Sequence, residues 1–238
     1  MELGGYVLGR RLGAGGMGTV YEAIDADGRR VALKLLHPHI GADPSARRRL
    51  RREVETLHLV RHDGVARILD AEAESDEAFV VTELVEGETL DVIVAASGPM
   101  DRARLVRLGA GLHAALTAVH AAGVVHRDVK PTNVMLTEDG PVLIDFGISQ
   151  ILDADRYTMA GHVLGTPGYL DPVVVGGGAP DQAADWWAWA AVLVFAATGR
   201  PPFGRDGAAA IQARAAAGDL DTAGLEPELA RSLRAALR

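Results

Sequence analysis

The chain has 238 residues, 48% of them apolar and 24% charged, so it can bury a sizeable core and is too hydrophobic for a disordered segment. It contains no cysteine, which excludes disulfides, thiol nucleophiles and cysteine-based zinc sites. A net charge of −8 disfavours nucleic acid and anionic membranes, and the longest candidate for a membrane span, 188–198, is about half the length needed.

Taken in chain order, the first third reads as strands. Segments 6–12, 19–24 and 30–36 alternate with turn chemistry: a glycine-rich stretch at 13–18 and Asp25-Ala26-Asp27-Gly28. This spacing predicts an antiparallel meander. A helix is predicted over 44–60, with Pro44 in its first turn and Leu50, Val54 and Leu57 on one stripe. Strands follow at 65–72 and 78–84. After Gly87 the pattern becomes helical. Asp101 reads as the N-cap of a helix to residue 122 with a stripe at Leu105, Leu108, Leu112, Leu116 and Val119. Short strands are predicted at 134–136 and 142–144, and helices at 182–198, 208–217 and 227–237. Between them, 146–180 is aperiodic, and a loop of that length is usually functional. The expected fold is α+β with two lobes: a β-rich N-terminal lobe with one helix (1–85) and a helical C-terminal lobe (86–238), joined near 83–87. No internal repeat is visible.

Residue usage singles out three positions before any motif does. Of 24 basic residues only Lys34 and Lys130 are lysine, and Asn133 is the single asparagine. A coding bias explains the avoidance of lysine but not the exceptions. An ammonium is a point charge and a guanidinium a planar fork, so a tight site cannot exchange them.

The motifs converge on the same residues. Gly13-Ala14-Gly15-Gly16-Met17-Gly18 fits G-x-G-x-x-G. A dinucleotide fold needs a helix after these glycines, whereas Thr19-Val20-Tyr21-Glu22-Ala23 reads as a strand. That points to a hairpin whose backbone N–H groups close over phosphates. Val31-Ala32-Leu33-Lys34 puts Lys34 on the third strand, and Glu53 follows in the first helix. His126-Arg127-Asp128-Val129-Lys130-Pro131-Thr132-Asn133 matches H-R-D-x-K-P-x-N, and Asp145-Phe146-Gly147 comes twelve residues later, after an apolar strand.

From Tyr6 to about Phe203 these motifs resemble a protein kinase, specifically the eukaryotic-like serine/threonine kinases of bacteria. Asp185 resembles the family's helix-F aspartate, which caps the catalytic loop, and Thr198-Gly199-Arg200-Pro201-Pro202-Phe203 the stretch that follows it. The resemblance implies ATP and Mg²⁺. Lys34, positioned by Glu53, holds the α/β-phosphates under a glycine loop with Gly13, Gly15 and Gly18. Asn133 and Asp145 hold Mg²⁺. Asp128 orients the substrate hydroxyl and accepts its proton, while Lys130 offsets charge on the transferring group. Adenine lies between Val20 and Ala32 above and Met135 below, bonded by the backbone of Glu83 and Val85, with Thr82 as gatekeeper. Lys130 two residues after Asp128, with Thr166 near the substrate loop, implies protein serine and threonine hydroxyls as acceptors.

Further expectations come from the same resemblance. Arg127, next to Asp128, makes the segment from Ser149 to Pro167 await a phosphate, with Thr158 the expected autophosphorylation site and Tyr157 and Ser149 weaker candidates. Two copies are expected to be able to pair through the N-terminal lobe. The expected location is the cytoplasm, whether alone or as the cytosolic part of a longer membrane-anchored protein, with no membrane contact in this chain and no nucleic acid. One departure is clear: Leu170-Asp171-Pro172-Val173 ends the activation segment without the family's Glu, and the chain stops where the Arg partner of that Glu would follow. An ATP-binding scaffold without turnover is the alternative function, which the presence of Lys34, Asp128 and Asp145 opposes. The Trp186, Trp187 and Trp189 cluster reads as helix packing in preference to base stacking. The basic run 47–52 reads as a solvated helix face, and His37, His39, His58, His62, His113, His120 and His162 show no metal spacing.

Overall fold

A computed structural model describes residues 1–15, 18–38, 43–73, 77–146 and 165–237. Strands β1 (Glu2–Leu3), β2 (Tyr6–Gly15), β3 (Gly18–Ile24), β4 (Arg30–Leu36), β5 (Ile68–Glu72) and β6 (Phe79–Glu83) form one antiparallel sheet in the order β1-β2-β3-β4-β6-β5. The meander of β2, β3 and β4 follows the sequence pattern. The inversion of β5 and β6 does not, and it places β6 inside, beside β4. Composition explains that choice: Phe79, Val80 and Val81 are buried on both faces, whereas β5 carries the exposed Leu69 and Asp70 and suits an edge.

The two faces of this sheet serve different cores. Leu3, Ala23, Val31, Leu33, Phe79 and Val81 close one face. On the other, Ala78, Val80 and Ile68 pack with helix α1 (Pro44–Leu57) through Leu50, Val54 and Leu57, and that cluster continues into the C-terminal lobe. Asp43 caps α1, accepting from Ser45 N at 2.8 Å. The helix ends at Leu57, three residues before the predicted end.

Beyond Glu83 come β7 (Glu88–Thr89) and helix α2 (Leu90–Ser97), neither foreseen from the sequence. Two residues are too few for a strand signal, and Val92-Ile93-Val94 is β-branched, which hides a short helix. Helix α3 (Arg102–Ala121) starts at its Asp101 cap, which accepts from Arg104 N at 2.8 Å, and it buries the predicted leucine stripe. A 3₁₀ turn (Pro131–Asn133) leads into β8 (Val134–Leu136) and β9 (Pro141–Leu143), which make a small sheet with β7. Helices α4 (Pro172–Val175), α5 (Gln182–Thr198), α6 (Ala208–Ala217) and α7 (Pro227–Ala236) complete the described chain. Among the described residues, no helix is long and apolar enough to cross a membrane.

The lobes meet at more than the hinge. Leu143 N donates to Gly64 O at 2.8 Å and Ala66 N to Leu143 O at 2.9 Å, so the loop after α1 pairs with β9. This contact draws the end of β9, and hence Asp145, under the sheet that carries Lys34.

Candidate active site

Lys34 stands on β4 opposite Val20 of β3 and Val80 of β6. Its Nζ donates to Asp145 Oδ1 at 2.5 Å, across 111 residues of sequence. Only 13% of the Lys34 side chain is exposed, so this ammonium acts where water screens it weakly. Asp145 has a left-handed backbone (φ 60°) two residues after the end of β9, and the next residue, Phe146, turns inward to lie against the His126 ring at 4.8 Å.

Glu53, on the α1 turn that faces the cleft, meets Arg127 Nη1 at 3.5 Å. The expected Lys34–Glu53 contact is therefore not the one made here. Asp145 takes the Lys34 ammonium, and Arg127 supplies a second cation within reach of Glu53. Dividing two acids between two bases leaves each carboxylate facing an opposite charge. Burial pushes the Glu53 carboxyl above its ordinary value, and the Arg127 charge pulls it back.

The segment 126–133 forms a compact loop. Lys130 Nζ donates to Asp128 Oδ2 at 2.8 Å. Asn133 Nδ2 donates to Asp128 O and to Asp128 Oδ2, both at 2.9 Å, which fixes the carboxylate rotamer from two sides. Ile144 N donates to Asn133 O at 3.0 Å, which ties this loop to the residue before Asp145. Beneath it lies Asp185 of α5, 1% exposed. Its Oδ2 accepts from His126 N at 2.7 Å and its Oδ1 from Arg127 N at 2.8 Å. His120 Nε2 also lies 2.8 Å from Oδ2. Burial pushes the His126 imidazole below its ordinary value, against the pull of Asp185, Asp128 and Asp145.

The residues expected around adenine lie on the elements that border this cleft: Val20 on β3, Ala32 on β4 opposite Thr82 of β6, and Met135 on β8 opposite Thr89. Glu83 N donates to Arg67 O at 2.9 Å and its carboxylate accepts from Arg67 Nε at 2.6 Å. The glycines divide into two kinds. A Cβ on Gly18 would lie 2.0 Å from Leu35 O, whereas Cβ atoms on Gly13 and Gly15 would meet nothing within 4 Å. Gly18 is thus required by the sheet itself, and Gly13 and Gly15 are required by nothing in the described chain.

The site suits Mg²⁺. Both amide protons of Asn133 Nδ2 point to Asp128, so its Oδ1 is the atom left for a cation, and Asp145 keeps Oδ2 beyond its bond to Lys34. Two hard oxygens, with no third protein ligand among the described residues, match an ion that completes its shell with phosphates and water. Among the described residues, no group of three or more His, Asp or Glu side chains forms a site for a metal held by protein alone.

Gly16, Met17, Gly147, Ser149, Tyr157 and Thr158 lie outside the described residues. Val173 is 68% exposed on α4, so the position where the resemblance expected a Glu faces solvent. Trp187 is buried and stacks on Phe203 at 5.6 Å, and Trp189 Nε1 donates to Gly109 O at 3.1 Å, which is helix packing. His120 is the residue that the sequence reading missed. A histidine in the last turn of an apolar helix carries no signal until α5 is placed beside it.

A loop that pins an aspartate between a lysine and an asparagine, facing a strand lysine and a second aspartate, is the arrangement that the sequence motifs describe. The model of the protein kinase domain matches residues 6–227 of the chain. The chain belongs to the protein kinase family. Among its curated relatives, the probable serine/threonine-protein kinase PkwA of Thermomonospora curvata is 41% identical over 213 residues, covering 90% of this chain and 29% of that protein. The serine/threonine-protein kinase AfsK of Streptomyces coelicolor is 43% identical over 202 residues, 83% of this chain and 25% of the relative. PknA of Mycobacterium tuberculosis is 38% identical over 212 residues, 86% and 49% respectively. The chain thus spans a quarter to a half of the relatives it matches. It is a serine/threonine kinase domain of the eukaryotic-like kind found in bacteria, with the bilobal fold of that family, and nothing in these comparisons favours an inactive scaffold. The family uses ATP, typically with Mg²⁺.

Proposed function

We propose that this kinase domain transfers the ATP γ-phosphate to serine and threonine hydroxyls through the cluster of Lys34, Asp128, Lys130, Asn133 and Asp145. The observation that carries the assignment is their convergence: Lys34 on Asp145 at 2.5 Å, and Lys130 and Asn133 on Asp128 at 2.8 and 2.9 Å. Lys34 directs its ammonium at the α/β-phosphates, and Glu53 moves from Arg127 to Lys34 in the competent state. Gly13 and Gly15 leave room for phosphates to approach their backbone. Val20, Ala32 and Met135 enclose adenine, with the Glu83 carbonyl and the Val85 backbone on its edge. Asn133 Oδ1 and Asp145 would hold Mg²⁺, which neutralises phosphate charge when bound. Asp128 accepts the hydroxyl proton on the oxygen that Lys130 and Asn133 leave exposed, and Lys130 then faces the transferring group. Apart from that proton transfer, every contribution is positioning or electrostatic.

The proposal extends to Thr158 as an autophosphorylation site, whose phosphate Arg127 would bind, on the strength of Arg127 lying between Asp128 and Glu53. Pairing of two copies through the N-terminal lobe, and a cytoplasmic location, rest on the family resemblance.

Incubation with Mg²⁺ and ATP followed by phosphosite mapping tests the assignment. Wild-type protein should label itself and a basic protein substrate. Asp128→Asn and Asp145→Asn should lose at least ~100-fold in rate while keeping the wild-type circular dichroism spectrum. Ordinary turnover by Asp145→Asn at millimolar Mg²⁺ would refute the metal assignment.

A further inference from the structure

Asp91 stands in the first turn of α2, and its Oδ1 is shut away from solvent with no hydrogen-bond partner among the described residues. The helix N-terminus favours its charge but gives this oxygen no donor. A buried acceptor left empty costs free energy that an incoming donor recovers, and a cationic donor recovers the most. The cations of the nearby catalytic loop are engaged elsewhere: Lys130 with Asp128 at 2.8 Å and Arg127 with Glu53 at 3.5 Å.

Tyr169 is the neighbour that senses this carboxylate. Burial, and after it the Asp91 charge, push the Tyr169 hydroxyl above its ordinary value, yet that hydroxyl does not fill Oδ1. Both residues border the 126–133 loop. Helix α2 packs against the 3₁₀ turn after Lys130, with Leu90 fully buried, and Tyr169 lines a crevice with Arg127 and Asp171. Asn133 of that same turn holds Asp128. A group bound between Asp91 and Tyr169 is therefore within a few residues of extended peptide from a hydroxyl at Asp128.

We propose that Asp91 is a specificity-determining residue: it receives an arginine or lysine side chain of the protein substrate, with the Tyr169 hydroxyl oxygen as second acceptor, and so selects serines and threonines that have a basic neighbour. This rests on the kinase reading and on Asp128 as the partner of the acceptor hydroxyl. The net charge of −8 acts in the same direction, since it draws basic segments toward the chain. Asp91 touches no reacting atom. Its contribution is to the choice between peptides, and the ATP site does not depend on it.

Paired short peptides test this. Each pair contains one serine and differs at one flanking position, arginine in one and citrulline, its uncharged isostere, in the other, with the position moved along both sides of the serine. We expect wild-type protein to prefer arginine roughly 10–100-fold in kcat/KM at one or two positions, the discrimination that a charged hydrogen bond gives. Asp91→Asn keeps the shape and should bring the two peptides within about twofold of each other, with KM for ATP and the rate on the citrulline peptide unchanged. Asp91→Lys should prefer glutamate at those positions, and Tyr169→Phe should lose part of the preference. A wild type that treats arginine and citrulline alike at every position, an Asp91→Asn variant that keeps the preference, or a defect of that variant in KM for ATP would overturn the proposal. If wild-type protein transferred phosphate to no peptide, the kinase reading would fail, and fluorescence anisotropy with the same peptides, labelled, would still decide whether Asp91 holds the basic side chain.

Discussion

Glu53 shows at the scale of one side chain how the fold sets chemistry against stability. Its carboxyl is pushed up by burial more than Arg127 pulls it down. The folded protein therefore binds this proton more tightly than the unfolded chain. Stability falls as pH rises from the ordinary value of 4.5 through the raised folded value, and the cost then persists to neutral pH. Glu53→Gln should match the wild-type melting temperature near pH 4 and exceed it at pH 7, by no more than roughly 4 °C for a partly solvated carboxylate in a chain of this length. The same variant should lose phosphotransfer. Parallel melting curves for the two proteins from pH 4 to 7 would contradict this account. Lys34, Lys130 and Asn133 were visible in the sequence because each is a rare residue in a chain that otherwise avoids its type. The Glu53–Arg127 contact was not visible, because 74 positions separate the two and only the docking of α1 over the catalytic loop brings them within 3.5 Å.

The glycine hairpin shows the same division at the scale of an element. The motif G-x-G-x-x-G treats Gly13, Gly15 and Gly18 alike, whereas the structure separates them. A Cβ at Gly18 would collide with the Leu35 carbonyl and push β3 off β4, displacing Lys34, which pairs with Val20 two residues on. Gly13→Ala and Gly15→Ala meet no obstacle among the described residues. We expect Gly18→Ala to lower the melting temperature by several degrees, as a backbone clash of this kind costs about 1–3 kcal/mol. Gly13→Ala and Gly15→Ala should leave stability unchanged and raise KM for ATP about tenfold. Differential scanning fluorimetry beside ATP titration separates the two classes, and destabilisation by Gly13→Ala would contradict the distinction. Helix ends were readable for the same local reason as the glycines. Asp101 caps α3 where the sequence placed it and α1 starts at the predicted Pro44, behind an Asp43 cap that the structure adds, whereas α2 and α4 are too short to show a period.

At the scale of the whole molecule, one apolar cluster runs from Leu50 and Leu57 of α1 through Val65 and Leu143 to Leu112 and Leu116 of α3, Val192 of α5 and Leu233 of α7. Lobes that share a core should unfold together. All three tryptophans lie on α5, so their fluorescence reports the C-terminal lobe, while far-ultraviolet circular dichroism reports both. We expect the two urea transitions to coincide, and Leu112→Ala to shift them together by an amount equivalent to about 2–5 kcal/mol. Separate midpoints would show that the lobes are independent. Amino-acid order alone determined the β-rich and helical halves, the capped helices, and the identity of the lysines, aspartates and asparagine at the site, because periodicity, capping and motif spacing are local properties. Tertiary structure decided the inner place of β6, the pairing of Lys34 with Asp145 and Glu53 with Arg127, and the burial of Asp185 under His120. Those depend on which charged groups remain within reach once the apolar faces have closed, and no local pattern encodes that.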